Sequence, residues 1–234
     1  MAVSSLRSWS ALLFLALASG LSSCQHRLPP NSLATHDAAP WEKDIAAFEA
    51  ADRTNPPPHG GIVFVGSSSI RLWRTLAQDF PDRRVINRGF GGSQLADAVK
   101  YADRLICPCR PRQVVIYAGG NDINAGKVPA LVFGDFVALV TQLRSGCPQA
   151  RLAYISIAPS PARWAQVEKV RQANALIAQY CHRHDIDFIN VFPLMLEPGG
   201  QPKPDIYVAD RLHLNAVGYA IWAQAVRPVL VRTE

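Results

Sequence analysis

Five times between residues 61 and 192 the chain repeats one pattern: an apolar run of strand length, a polar or glycine-bearing turn, then a stretch with helical spacing. This alternation is the strongest constraint on the fold. A strand followed by a crossover helix returns the next strand parallel to the first, and the helices cover both faces of the sheet. The strand-length runs are 61–65, 84–87, 113–118, 151–157 and 187–192. The run Ile62-Val-Phe-Val65 does not alternate with polar residues, which marks a strand buried on both sides. Apolar spacing predicts helices over 41–51, 69–78, 94–105, 130–143, 165–181 and 215–230, with Asn55-Pro-Pro-Pro58 ending the first. Apolar residues make up 49% of the chain and charged residues 18%, enough to fill such a core and too apolar for a disordered chain. The net charge of +6 is scattered. Arg83, Arg84 and Arg88, and Arg110 and Arg112, form neither a run nor a stripe, so composition gives no support for a nucleic-acid partner.

The 234 residues exceed one unit of this kind, and the surplus lies at the start. Arg7 precedes the apolar run Ala11-Leu-Leu-Phe-Leu-Ala-Leu-Ala18, a length suited to a secretory leader and too short for a permanent span. Leu21-Ser22-Ser23-Cys24 then resembles the lipobox of bacterial lipoproteins. The resemblance implies cleavage before Cys24, lipidation of that cysteine, and an exported protein anchored in a Gram-negative envelope. Gln25 after the cysteine points to the outer membrane or its periplasmic face. An ordinary secretory signal cut near Ala18 or Ser23 is the alternative. The expected organisation is a leader over 1–23, a proline-bearing tether over 24–40 and a single domain over 41–234. Setting Cys24 aside leaves Cys107, Cys109, Cys147 and Cys181, an even set. A bridge from Cys107 or Cys109 to Cys147 is expected, because these residues precede the third and fourth strands on one edge of the sheet.

In parallel sheets, ligands bind beyond the carboxyl ends of the strands. The first strand is followed by Gly66-Ser67-Ser68-Ser69, a strand-to-helix turn that can present a hydroxyl beside free backbone N–H groups or simply cap the helix. The second leads to Gly89-Phe-Gly-Gly92-Ser93, where backbone can approach a ligand closely or merely turn. The third leads to Gly119-Gly120-Asn121-Asp122, whose amide could donate to an oxyanion or shape a turn. Before the last helix stands Asp210-Arg-Leu-His213, a spacing that can set a carboxylate against an imidazole. Each block alone is common. Together, in this order and on one edge, they are improbable as coincidence.

At these residues the chain resembles the SGNH hydrolases, or GDSL-type esterases and lipases, over roughly residues 41–231. The resemblance implies a three-layer α/β/α sandwich around a five-stranded, parallel, flavodoxin-like sheet. It also implies a serine hydrolase acting on carboxylic esters, with no metal and no cofactor. Gly66-Ser67-Ser68-Ser69-Ile70 is similar to the family's G-D-S-[LI] block with serine in the aspartate place, which makes Ser68 the nucleophile and Ser69 the fallback. His213 would be the base and Asp210 its partner. Backbone N–H groups of Ser68 and Gly92 and the side chain of Asn121 would form the oxyanion hole. Arg163 and Trp164, in Pro159-Ser-Pro-Ala-Arg-Trp164, match a segment of related esterases and are expected at the substrate pocket. Short loops without an apolar lid favour a small acyl group. A lysophospholipase or thioesterase of the same family, or a non-catalytic envelope lipoprotein that keeps the fold as a binding module, are the competing readings. His182-Arg-His184 could ligate a metal, but it precedes the fifth strand, at the opposite edge, and reads as a solvated helix end.

Overall fold

The computed structural model describes Met1 and residues 28–233. The leader and Cys24 therefore lie outside the described residues. Five strands, β1 (Ile62–Gly66), β2 (Val85–Gly89), β3 (Gln113–Tyr117), β4 (Arg151–Ile155) and β5 (Asp187–Ile189), form one sheet in the order β2-β1-β3-β4-β5. Every pairing is parallel. This is the expected flavodoxin-like α/β order, and the direction in which successive strands are added reverses between β1 and β3, where a crevice opens beyond the strand ends.

Burial follows from position. All residues of the central strands β1 and β3 are buried, whereas the edge strands β2 and β5 are partly exposed. On one face Val63, Val65, Val114 and Ile116 meet Ile45, Leu95, Phe136 and Ile177. These come from α1 (Glu42–Thr54), α4 (Leu95–Leu105), α6 (Pro129–Gly146) and α7 (Val167–Arg183). On the other face Ile62, Phe64, Val115 and Ile155 meet Trp73, Phe80 and Trp222, the last from α8 (Ala216–Val226).

Three expectations change. The helix over 69–78 is two short helices, α2 (Ser68–Arg71) and α3 (Leu76–Asp79). The break lets Trp73 turn into the core, where it stacks on Tyr219 and meets Phe64, Phe80 and Trp222 edge-on, while its indole N–H donates to Asp79. The residues after β3 form a helix, α5 (Gly120–Asn124), rather than a loop, entered through Gly119 at φ +109°. The described part of the 24–40 segment is a docked strap rather than a free tether. Ser32 donates to both carboxylate oxygens of Asp135, His36 meets Asp97 at 2.6 Å, and Tyr101 Oη donates to Ala38 O. Polar anchors hold this strap, so apolar periodicity could not reveal it. Among the described residues no helix is long and apolar enough to cross a membrane.

Candidate active site

The crevice beyond β1 and β3 gathers the blocks named above. Gly66 makes the first of them possible. Its φ is +150°, and a Cβ there would lie 1.8 Å from Tyr117 O, so only glycine lets β1 end so close to β3. The chain then turns through Ser67, whose N–H donates to Tyr117 O, and Ser68 opens α2. Of the three serines, Ser68 is the one that meets an imidazole: its Oγ lies 2.8 Å from His213 Nε2. Ser67 and Ser69 are buried, and Ser69 O accepts a hydrogen bond from Tyr219 Oη.

His213 and Asp210 sit in a turn between the short 3-10 helix Pro204–Ile206 and α8. Nδ1 lies 2.6 Å from Asp210 Oδ2, while Asp210 Oδ1 accepts from the N–H groups of Leu212 and His213. The side-chain hydrogen bond from His213, followed by that from its backbone, holds the Asp210 carboxyl down at about 2. A carboxylate only accepts, so Nδ1 carries the ring proton. The Nε2 lone pair of the neutral imidazole then faces the Ser68 hydroxyl. Arg211, between the two residues, takes φ +58°, the left-handed turn that folds the carboxylate back onto the ring.

The candidate oxyanion donors converge from two other strands. Gly92, after β2, has φ +80° and presses against the edge of Trp41, 3.1 Å from where a Cβ would stand. Neither the Ser68 nor the Gly92 N–H has a hydrogen-bond partner among the described residues. Asn121, on α5, donates through Nδ2 to Ser93 O at 3.0 Å and accepts at Oδ1 from Arg163 Nη1 at 3.0 Å. Next to it Asp122 is fully buried, accepts from Leu95 N–H and pairs with Lys127, which also binds Asp135. That network fixes α5 against α4, α6 and the strap. Burial works against the Lys127 charge, but the two carboxylates outweigh it and hold its pKa above the ordinary lysine value.

Ser68, Asn121, Arg163, Trp164 and His213 line one partly open cleft with a free volume of about 40 Å³. Arg163 and Trp164, which follow β4, share this cleft with Ser68 and His213. The bond from Arg163 to Asn121 was not foreseen; the residues are 42 positions apart and no motif links them. His182 and His184 are exposed at the far end of α7, and His184 stacks on Tyr180. Among the described residues no three potential metal ligands cluster. Cys107 and Cys147 are free thiols with sulfurs 2.7 Å apart, whereas Cys109 and Cys181 are buried elsewhere.

A serine, histidine and aspartate in a hydrogen-bonded series, at the carboxyl edge of a parallel α/β sheet, define a serine hydrolase acting on esters. The chain belongs to the GDSL-like lipase/acylhydrolase family, whose sequence profile matches residues 61–221. Comparison with curated proteins finds no match. Solved structures share the fold at low identity. A Streptococcus pneumonia protein provisionally described as a platelet activating factor aligns with TM-score 0.73 and 19% identity, covering 83% of this chain and 94% of its own. A GDSL-like lipase from Bacteroides thetaiotaomicron gives 0.70 and 21%, covering 80% and 96%. An acetylxylan esterase from Geobacillus stearothermophilus, in a catalytic mutant, gives 0.61 and 16%, covering 76% and 99%.

Proposed function

We propose that this protein is an exported, lipid-anchored serine esterase that removes short acyl groups, acetyl foremost, from alcohol esters. The observation that carries the catalytic reading is the unbroken series Ser68 Oγ, His213 Nε2, His213 Nδ1, Asp210 Oδ2, with separations of 2.8 and 2.6 Å. Ser68 Oγ attacks the ester carbonyl carbon as its proton passes to Nε2, and Asp210 stabilises the imidazolium that forms. The N–H groups of Ser68 and Gly92 and the Asn121 amide receive the oxyanion. When the tetrahedral adduct collapses, His213 returns the proton to the leaving alcohol. Water, deprotonated by His213, then releases the acid from Ser68.

The acyl preference rests on volume. The cleft's free volume of about 40 Å³, against roughly 10–15 Å³ for a single water, is small, and the short loops around it add no apolar lid, which suits a small acyl group such as acetyl. The likeness to an acetylxylan esterase agrees with that size. The anchor rests on the sequence around Cys24 and on the strap, which leaves only a short length of chain between that cysteine and the domain.

Purified protein should hydrolyse p-nitrophenyl acetate faster than the octanoate. Ser68→Ala and His213→Ala should each lose at least ~10³-fold in kcat, while Ser69→Ala stays active. Wild-type rates no higher than those of Ser68→Ala would overturn the esterase reading, and a maximum at long chains would overturn the acyl preference.

A further inference from the structure

Arg163 stands apart from the other arginines. Among the described residues, four arginines are at least partly buried. Arg83 pairs with Asp82, Arg88 with Asp52, and Arg104 with Glu42 and Glu49. Arg163 has no carboxylate partner, and none of the residues lining its cleft is acidic. Its single side-chain hydrogen bond goes to a neutral group, Asn121 Oδ1. Burial therefore lowers its pKa, with only Tyr117, and no carboxylate, acting the other way.

The chemistry of that bond fixes the amide. A guanidinium only donates, so the Asn121 atom facing it is the oxygen; the Ser93 carbonyl only accepts, so the atom facing it is the nitrogen. Ser93 takes one of the two Nδ2 protons and leaves the other. A flipped amide would put oxygen against the Ser93 carbonyl and nitrogen against a cation, so both contacts oppose it. The turn that carries Arg163 is itself braced. Arg163 N–H donates to Ser160 O, Ala162 N–H to Arg211 O, and Tyr207 Oη to Pro159 O. Through Arg211 the turn holds the loop that carries Asp210 and His213.

We propose that Arg163 is a positioning residue of the oxyanion hole. Nη1 locks the Asn121 amide, and the uncancelled charge draws electron density toward Oδ1. The free Nδ2–H becomes a stronger donor as negative charge builds on the substrate oxygen. This rests on the role proposed above for Asn121.

A double-mutant cycle on the purified full-length protein, with p-nitrophenyl acetate, tests it. Asn121→Ala is expected to lose ~10²–10³-fold in kcat. Arg163→Met is expected to lose ~10–100-fold in kcat with KM within about twofold. Arg163→Lys, a cation without the planar fork, should fall between Arg163→Met and wild type. The double variant Arg163→Met/Asn121→Ala should be no slower than Asn121→Ala alone. If the two losses multiply, or Arg163→Met raises KM and spares kcat, Arg163 does not act through Asn121 and the proposal falls. If Asn121→Ala keeps the wild-type rate, the oxyanion role of Asn121 falls and the proposal with it, whereas multiplied losses leave that role standing. Melting curves identify a variant that fails to fold. Should Arg163→Met fail, the cycle is run with Arg163→Lys under the same criteria.

Discussion

Asp210 is nearly half exposed, yet it accepts three hydrogen bonds, two of them from the backbone of its own turn. The turn therefore aims the carboxylate before any substrate arrives, and the carboxylate sets the imidazole tautomer. With a folded pKa of about 2, below its ordinary value, Asp210 contributes stability above the unfolded-state pKa and loses it as pH falls toward 2. Solvent screening keeps that contribution small. The larger consequence is kinetic. Since Asp210 stays ionised through mildly acid pH, protonation of this carboxylate is not expected to limit kcat there. Asp210→Asn keeps the backbone hydrogen bonds but presents an amide to Nδ1, which can favour the wrong tautomer. It should lower kcat by ~10³–10⁴-fold with little change in melting temperature. A steady-state pH profile and a melting curve check both; a variant within tenfold of wild type would remove Asp210 from the mechanism.

At the scale of elements, the sheet was legible because β1 and β3 are buried on both faces, and such strands must be written as unbroken apolar runs. Three of the site blocks were legible because each hangs on the end of a strand, and the fourth, Asp210-Arg-Leu-His213, through its own spacing ahead of α8. What the pattern misplaced depends on contacts distant in sequence. The apolar spacing of 69–78 looks helical, but Trp73 answers to Trp222 and Tyr219 rather than to its own helix. The strap is held by Asp135 and Asp97, and Asn121 by Arg163, through polar pairs without periodicity. The cysteines were legible in part: spacing gave Cys147 two candidate partners, and the fold brings Cys107 to it. Cys107 lies in the turn after α4, and Cys147 caps α6. Burial pushes both thiols up, leaving little thiolate, so uncatalysed oxidation should be slow. With a disulfide catalyst and a thiol oxidant, which takes up the two electrons and two protons, the pair should close a loop spanning 40 positions. The loop entropy is worth about 4 kcal/mol. Mass spectrometry of the oxidised protein should show a Cys107–Cys147 peptide, and Cys147→Ala should abolish the gain in melting temperature. A Cys109–Cys147 peptide would contradict the geometry.

For the whole molecule, the strap turns the start of the chain into part of the site's support. It crosses α6 at Gly134, where a Cβ would lie 1.7 Å from Pro30 O, then meets Asp135 and Asp97, and the chain continues to Trp41 against Gly92. The same backbone that would lead away from a lipid on Cys24 thus ends beside a candidate oxyanion donor. From Cys24 to Pro30 is six residues, a reach of at most about 20 Å. With Cys24 acylated as proposed, the domain cannot range freely from the bilayer, and the α6 face stays within that distance of it. The anchor and the chemistry are nonetheless separable, because Cys24 precedes every strap contact described here. Cys24→Ser, expressed in a Gram-negative host, should abolish lipid labelling and lose stable membrane attachment, since the serine offers no thiol for acylation. Its kcat/KM on a soluble acetate ester should match that of the lipidated protein in detergent to within about twofold, because no strap contact to Asp135, Asp97 or Gly92 is altered. Persistent membrane attachment of the unlabelled variant would refute the lipid anchor. A large fall in kcat/KM with attachment lost would show that the anchor helps to hold the strap, and through Trp41 the oxyanion side of the cleft.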